Sequence, residues 1–119
     1  MCTHPRLPVI AAMVLLCGTA PAFAHSELQR AEPPAGSTVR QAPSEVVIWF
    51  GQKLEPAFST ITVRNAAGQR VDTGKMRHDG NVMRVPLKTI GAGTYRVNWR
   101  VLSVDTHRTQ GSFSFKVAE

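Results

Sequence analysis

The chain has 119 residues, 14 Lys and Arg against 8 Asp and Glu, a formal net charge of +6, and two cysteines. That length supports one small domain with a modest core. The basic residues are spread along the chain without a basic run, which excludes a nucleic-acid-binding reading and leaves a solvated positive surface able to attract anionic ones.

The first 24 residues read as a secretory signal. Arg6 supplies the positive start, Val9-Ile10-Ala11-Ala12-Met13-Val14-Leu15-Leu16 the apolar stretch, and Ala22-Phe23-Ala24 the small residues at −3 and −1 that a signal peptidase recognises. The apolar stretch is too short for a membrane span, which takes about 20 residues. Cleavage after Ala24 leaves a mature domain, residues 25–119, that starts at His25. Lipoprotein processing at Cys17 is disfavoured by the bulky Leu16 before it. Cys2 and Cys17 both lie in the signal, so the mature domain has no disulfide and no thiolate ligand.

After His25, Ala31-Glu32-Pro33-Pro34-Ala35-Gly36-Ser37 is turn material. Short strands follow. Val46-Val47-Ile48-Trp49-Phe50 is β-branched and aromatic, and Ser59-Thr60-Ile61-Thr62-Val63-Arg64 alternates, with a return strand Gln69-Arg70-Val71 after the turn at residues 65–68. Gly74-Lys75-Met76-Arg77-His78-Asp79-Gly80 reads as a loop. Asn81-Val82-Met83-Arg84-Val85-Pro86-Leu87 is a strand that Pro86 places at an edge or an end. Thr94-Tyr95-Arg96-Val97-Asn98-Trp99-Arg100-Val101 and Ser112-Phe113-Ser114-Phe115-Lys116-Val117 alternate most clearly. No window has a helical period. Six or seven short strands about ten residues apart predict an all-β, antiparallel, immunoglobulin-like sandwich. Its expected core is Trp49, Ile61, Val63, Val85, Tyr95, Val97, Trp99, Phe113, Phe115 and Val117.

The chemistry concentrates at two places. A cleaved His25 offers an α-amine beside an imidazole, so one residue can chelate a metal. Ser103-Val104-Asp105-Thr106-His107 adds a carboxylate and a second imidazole two residues apart. In an extended strand these two lie on one face about 7 Å apart, or a loop folds them around the ion. Three nitrogens and one oxygen suit tetragonal Cu(II). The donors must be deprotonated, so affinity should fall in acid. Set against this, an isolated Asp-x-His near a strand end is ordinarily a hydrogen-bonded surface pair.

From His25 to Glu119 the chain resembles the CopC family of bacterial periplasmic copper-binding proteins. The resemblance rests on His25-Ser26-Glu27-Leu28, Glu32-Pro33-Pro34-Ala35-Gly36-Ser37, the strand ending Trp49-Phe50, Gly91-Ala92-Gly93-Thr94-Tyr95-Arg96-Val97-Asn98-Trp99, Ser103-Val104-Asp105-Thr106-His107 and Gly111-Ser112-Phe113-Ser114-Phe115-Lys116-Val117. It implies a small Greek-key β-sandwich or barrel. It also implies one Cu(II) ion per mature domain, held by His25, Asp105 and His107. The implied role is copper resistance or homeostasis, carrying or sequestering copper beside an inner-membrane transporter of CopD type.

Two features depart from the family. Many members carry a methionine-rich Cu(I) loop, whereas only Met76 and Met83 follow the signal here. Met83 falls on an inward strand face, and Met76 with His78 falls short of a Cu(I) donor set, so a Cu(II)-only protein is expected. Some relatives also place a glutamate near the metal after the aromatic strand. Gln52 takes that place here as a neutral neighbour, with Glu55 a less favoured substitute and Glu27 close in sequence.

Two rival functions fit the chain less well. An N-terminal-His copper oxygenase needs a broad substrate face and an open equatorial position, which a small domain with a carboxylate ligand does not offer. A metal-free structural sandwich remains compatible with fold alone. Other enzymatic routes lack a nucleophilic cysteine, a glycine-rich phosphate loop or paired carboxylates at a cleft.

Overall fold

The computed structural model describes residues 28–119. They form strands β1 (Leu28–Glu32), β2 (Thr38–Val39), β3 (Glu45–Phe50), β4 (Thr60–Asn65), β5 (Arg77–Asp79), β6 (Val82–Pro86), β7 (Gly93–Leu102) and β8 (Arg108–Val117). A 3-10 turn, Pro56–Phe58, precedes β4. The strands make two four-stranded sheets, ordered β1-β3-β6-β5 and β2-β8-β7-β4. The expected all-β sandwich is therefore the fold. One pairing is parallel, β2 with β8, while the others are antiparallel.

The core follows from the period of two along each strand, which sends alternate side chains into the space between the sheets. Val46, Ile48 and Phe50 of β3, Ile61 and Val63 of β4, and Val85 and Val97 of β6 and β7 have no exposed surface. Met83, Trp99 and Phe115 are nearly as deep. Burying each such side chain contributes about 1.5–3 kcal/mol.

Trp99 crosses the interior to meet Phe50 edge-on, with ring centroids 5.4 Å apart. It needs Gly111, its register partner on β8. A Cβ there would lie 2.6 Å from Cζ2 of the indole. This aromatic pair ties the end of β3 to β7, and so sets residues 51–53 beside the β7–β8 loop.

Three expectations are corrected. Trp49 is not core: it sits half-buried on the outer face, under the guanidinium of Arg30 at 4.5 Å. Phe50 takes the inward position. Phe113 is only half-buried, packed against the core margin. The stretch 77–79 is a short strand paired with β6 rather than loop, with His78 opposite Met83. Pro86 ends β6, an inner strand of its sheet.

β4 is an edge strand whose outward amides are all occupied. Ile61 N–H donates to Met76 Sδ (3.2 Å), Val63 N–H to Asp72 Oδ2 (2.8 Å) and Asn65 N–H to the Gln69 carbonyl (2.9 Å). Residues 69–76 thus close an edge that would otherwise template further strands. Asp72 is buried, and Arg70 and Gly74 N–H complete its partners. Burial alone would raise its pKa, but the Arg70 hydrogen bonds, the Val63 amide and the Arg70 charge outweigh it and hold the carboxyl below its ordinary value.

Candidate metal centre

β7 and β8 are joined at one end of the sandwich by a tight hairpin loop. Ser103 N–H donates to the His107 carbonyl (2.9 Å), and Thr106 N–H donates to the Ser103 carbonyl (2.9 Å). Val104, Asp105 and Thr106 are left to make the turn. Three-residue hairpins close with a residue in the left-handed region, and Thr106 occupies it at φ 72°. Glycine normally fills such a position, because a β-branched side chain there is strained. The strained residue lies between the two proposed ligands.

The loop is braced from beneath and from one side. Ser103, buried, accepts from His107 N–H through its hydroxyl (3.1 Å) and donates a short hydrogen bond to Asp105 Oδ1. Segment 53–55 runs alongside. Val104 N–H donates to the Lys53 carbonyl (3.0 Å) and Glu55 N–H to that of Leu102 (2.8 Å). The Gln52 amide is assigned with its nitrogen toward the loop, because the opposite orientation sets its oxygen against acceptors only; so placed, it donates to both Asp105 oxygens (3.3 Å each) and to Ser103 Oγ (3.2 Å). The expected neutral neighbour of the acidic ligand is therefore Gln52. The backbone of Glu55 serves the 3-10 turn, its carbonyl accepting from Ser59 Oγ and Phe58 N–H.

These contacts fix the Asp105 carboxylate and its charge state. The Ser103 hydroxyl holds its carboxyl below the ordinary value against desolvation, with help from the His107 amide, the His107 charge and Gln52. An ionised carboxylate is the form a metal takes. Asp105 and His107 are both exposed. Both lie in the loop rather than in an extended strand, since neither belongs to β7 or β8. His25 and Glu27 lie outside the described residues. Among the described residues, no three of His, Cys, Asp and Glu converge at metal-binding distance. The loop supplies two donors.

Met76 is half-buried against the core, and its sulfur accepts from Ile61 N–H. It is thus a structural thioether rather than part of a solvated loop. What the sequence did not disclose is the work of Ser103, whose hydroxyl serves both Asp105 and His107. The Ser-x-Asp spacing was the available signal, but it needs the hairpin to acquire meaning. The strain at Thr106 left no signal at all.

Residues 28–118 match the CopC domain family. The chain is 37% identical over 108 residues to copper resistance protein C of Xanthomonas campestris pv. juglandis, covering 83% of this chain and 84% of that protein. It is 33% identical over 101 residues to the copper transport protein CutJ of Bacillus subtilis, covering 82% of this chain but 19% of that much longer protein. The crystal structure of CopC from Methylosinus trichosporium OB3b superposes with a TM-score of 0.73 at 31% identity, covering 79% of this chain and 94% of that one.

Proposed function

The chain belongs to the CopC family, and from that premise we propose that it is exported to the periplasm, cleaved after Ala24, and binds one Cu(II) ion through His25, Asp105 and His107. Its family is one of copper-binding proteins rather than enzymes, and a role in copper resistance follows from it. The observation that carries the site is the braced carboxylate: Ser103 and Gln52 hold Asp105 ionised beside His107 on an exposed loop.

Topology supports the third ligand. β1 starts at Leu28 opposite Phe50, two residues before Gln52, so the chain enters the sandwich at the end that carries the loop. His25 is three residues earlier, a reach of at most about 10 Å. The α-amine, two imidazoles and one carboxylate make the nitrogen-rich set that Cu(II) prefers. The structural use of Met76 leaves no thioether cluster for Cu(I), which favours a Cu(II)-only protein that carries or sequesters copper beside a CopD-type transporter.

The test is a Cu(II) titration of protein recovered from the periplasm, with intact mass fixing its first residue. His25→Ala, His107→Ala and a form with one residue added before His25 should each lose at least about tenfold in affinity. Wild-type affinity in all three would overturn the site, and a mass starting at Cys17 or Phe23 would overturn it too, because His25 would then have no free α-amine.

A further inference from the structure

The two outer faces of the sandwich carry charge in opposite ways. On the β1-β3-β6-β5 sheet, the strand arginines Arg30, Arg77 and Arg84 are balanced in number by Glu32, Glu45 and Asp79; Arg30 meets Glu32 at 3.5 Å and Arg84 meets Glu45 at 3.3 Å, while Arg77 stands opposite Arg84 in the ladder. The four strands of the other sheet contain no aspartate or glutamate. Alternation places Arg64, Arg96, Arg100, Arg108 and Lys116 on its outer face, all exposed. None of the five is in an ion pair among the described residues. Arg64 stands directly opposite Arg96 in the ladder, a like-charge pairing that destabilises a sheet. The nearest acceptors they find are neutral, the Gly68 carbonyl for Arg64 and the Ser112 hydroxyl for Arg96. A basic cluster thus exists that the linear sequence disperses over more than fifty positions.

We infer that this face docks the protein on an anionic phospholipid surface. The chemistry fits headgroup phosphates: guanidinium, ammonium, hydroxyl and amide donors on a flat sheet, with no carboxylate to repel them. A shallow depression of about 450 Å³ lined by Asn98, Arg100, Gln110 and Ser112 gives one phosphate a seat. A protein partner would need apolar or aromatic anchors at the centre of the contact. The exposed large hydrophobic residues, Phe58 and Val104, instead belong to the 3-10 turn and the β7–β8 loop, off the strands of this face. Docking puts the proposed copper loop at the rim of the contact, since Arg108 directly follows His107. The inference does not depend on the metal site.

The experiment is sedimentation of the metal-free protein with vesicles of three parts phosphatidylcholine to one part phosphatidylglycerol, against pure phosphatidylcholine. Three variants are compared: wild type, Arg64→Gln/Arg96→Gln/Arg100→Gln, and the control Lys75→Gln/Arg77→Gln/Lys88→Gln. Both triples lose the same charge, so only its location differs. Each cation at an anionic surface is worth about fivefold in binding, so the face triple should bind on the order of a hundredfold more weakly. The control should lose much less. Wild-type binding should also weaken as salt shortens the screening length below about 10 Å. Equal loss in both triples overturns the inference, because whole-molecule charge then suffices. No preference for phosphatidylglycerol vesicles overturns it. Binding to polyglutamate as tight as to vesicles overturns it in favour of an acidic protein partner. If the face triple fails to fold, single Arg96→Gln against single Arg77→Gln reads the same comparison at about fivefold.

Discussion

Asp72 and Asp105 are both held below the ordinary carboxylate range, but by opposite surroundings. Asp72 is buried, and its oxygens are consumed by Arg70, Val63 and Gly74. Asp105 is exposed, and its partners, Ser103 and Gln52, leave the outer side of the carboxylate open. A carboxylate with every direction occupied by its own chain is a fixture of the fold. One propped from beneath and open above is prepared for something that arrives from solvent. Side-chain type does not separate them; the disposition of donors does.

The sharpest way to break this contrast is to remove each carboxylate. Asp72→Ala strands two backbone amides and the Arg70 guanidinium, and should cost about 3 kcal/mol. For a domain this size that is a drop in Tm of at least about 12 °C by thermal melting. Its Cu(II) affinity should equal wild type. Asp105→Ala should do the reverse: melting close to wild type, with Cu(II) affinity lower by about a hundredfold in a competition titration. A large loss of stability in the second, or of affinity in the first, would show the two roles to be mixed.

Acid sharpens the same contrast without removing the side chain. The pKa of Asp72 is depressed on folding. Its stabilisation is therefore complete above the unfolded value of about 3.9 and is lost as pH falls through the lower folded value. Urea unfolding of wild type between pH 5 and pH 2 should show that decline. Asp72→Asn, which cannot titrate there, should give a flatter curve. Parallel curves would mean that other carboxylates set the acid limit.

A smaller effect is expected at Gln52. Groups that orient a metal ligand from outside the coordination sphere cost about tenfold when removed. Gln52→Ala should weaken Cu(II) by about that much and leave Tm near wild type. A change under twofold would mean that Ser103 alone suffices to hold Asp105.

The sequence carried the interior well wherever one strand face was apolar and the other polar. Tyr95, Val97 and Trp99 alternate with Arg96, Asn98 and Arg100, and the burial follows that alternation. It failed where both faces are apolar. In Val46–Phe50 no period distinguishes Trp49 from Phe50, and only the Trp99 ring across the interior decides that Phe50 faces in. β5 was hidden because Arg77, His78 and Asp79 form an exposed edge with no apolar side. The basic face was hidden for a related reason, since strand register collects residues that a linear reading finds scattered. At the proposed site, spacing and chemistry single out Asp105 and His107, whereas the Ser103 and Gln52 props are long-range or turn-dependent contacts that a linear reading does not reach.

The smallest predicted effect tests why Thr106 stands where glycine would relax the turn. A β-branched residue at φ 72° stores on the order of 1–3 kcal/mol. Thr106→Gly releases that strain but adds freedom to the unfolded chain, worth about 0.5–1 kcal/mol against it. The net expectation is a gain of about 1 kcal/mol by urea denaturation. The threonine hydroxyl also donates to the Asp105 carbonyl, inside the loop that positions the two proposed ligands. Glycine removes that restraint, so Cu(II) affinity should fall a few-fold even as stability rises, the trade expected at a functional loop. Stability and affinity rising together would mean that the strain serves nothing at the site, and that the loop holds Asp105 and His107 in place through Ser103 and Gln52 alone.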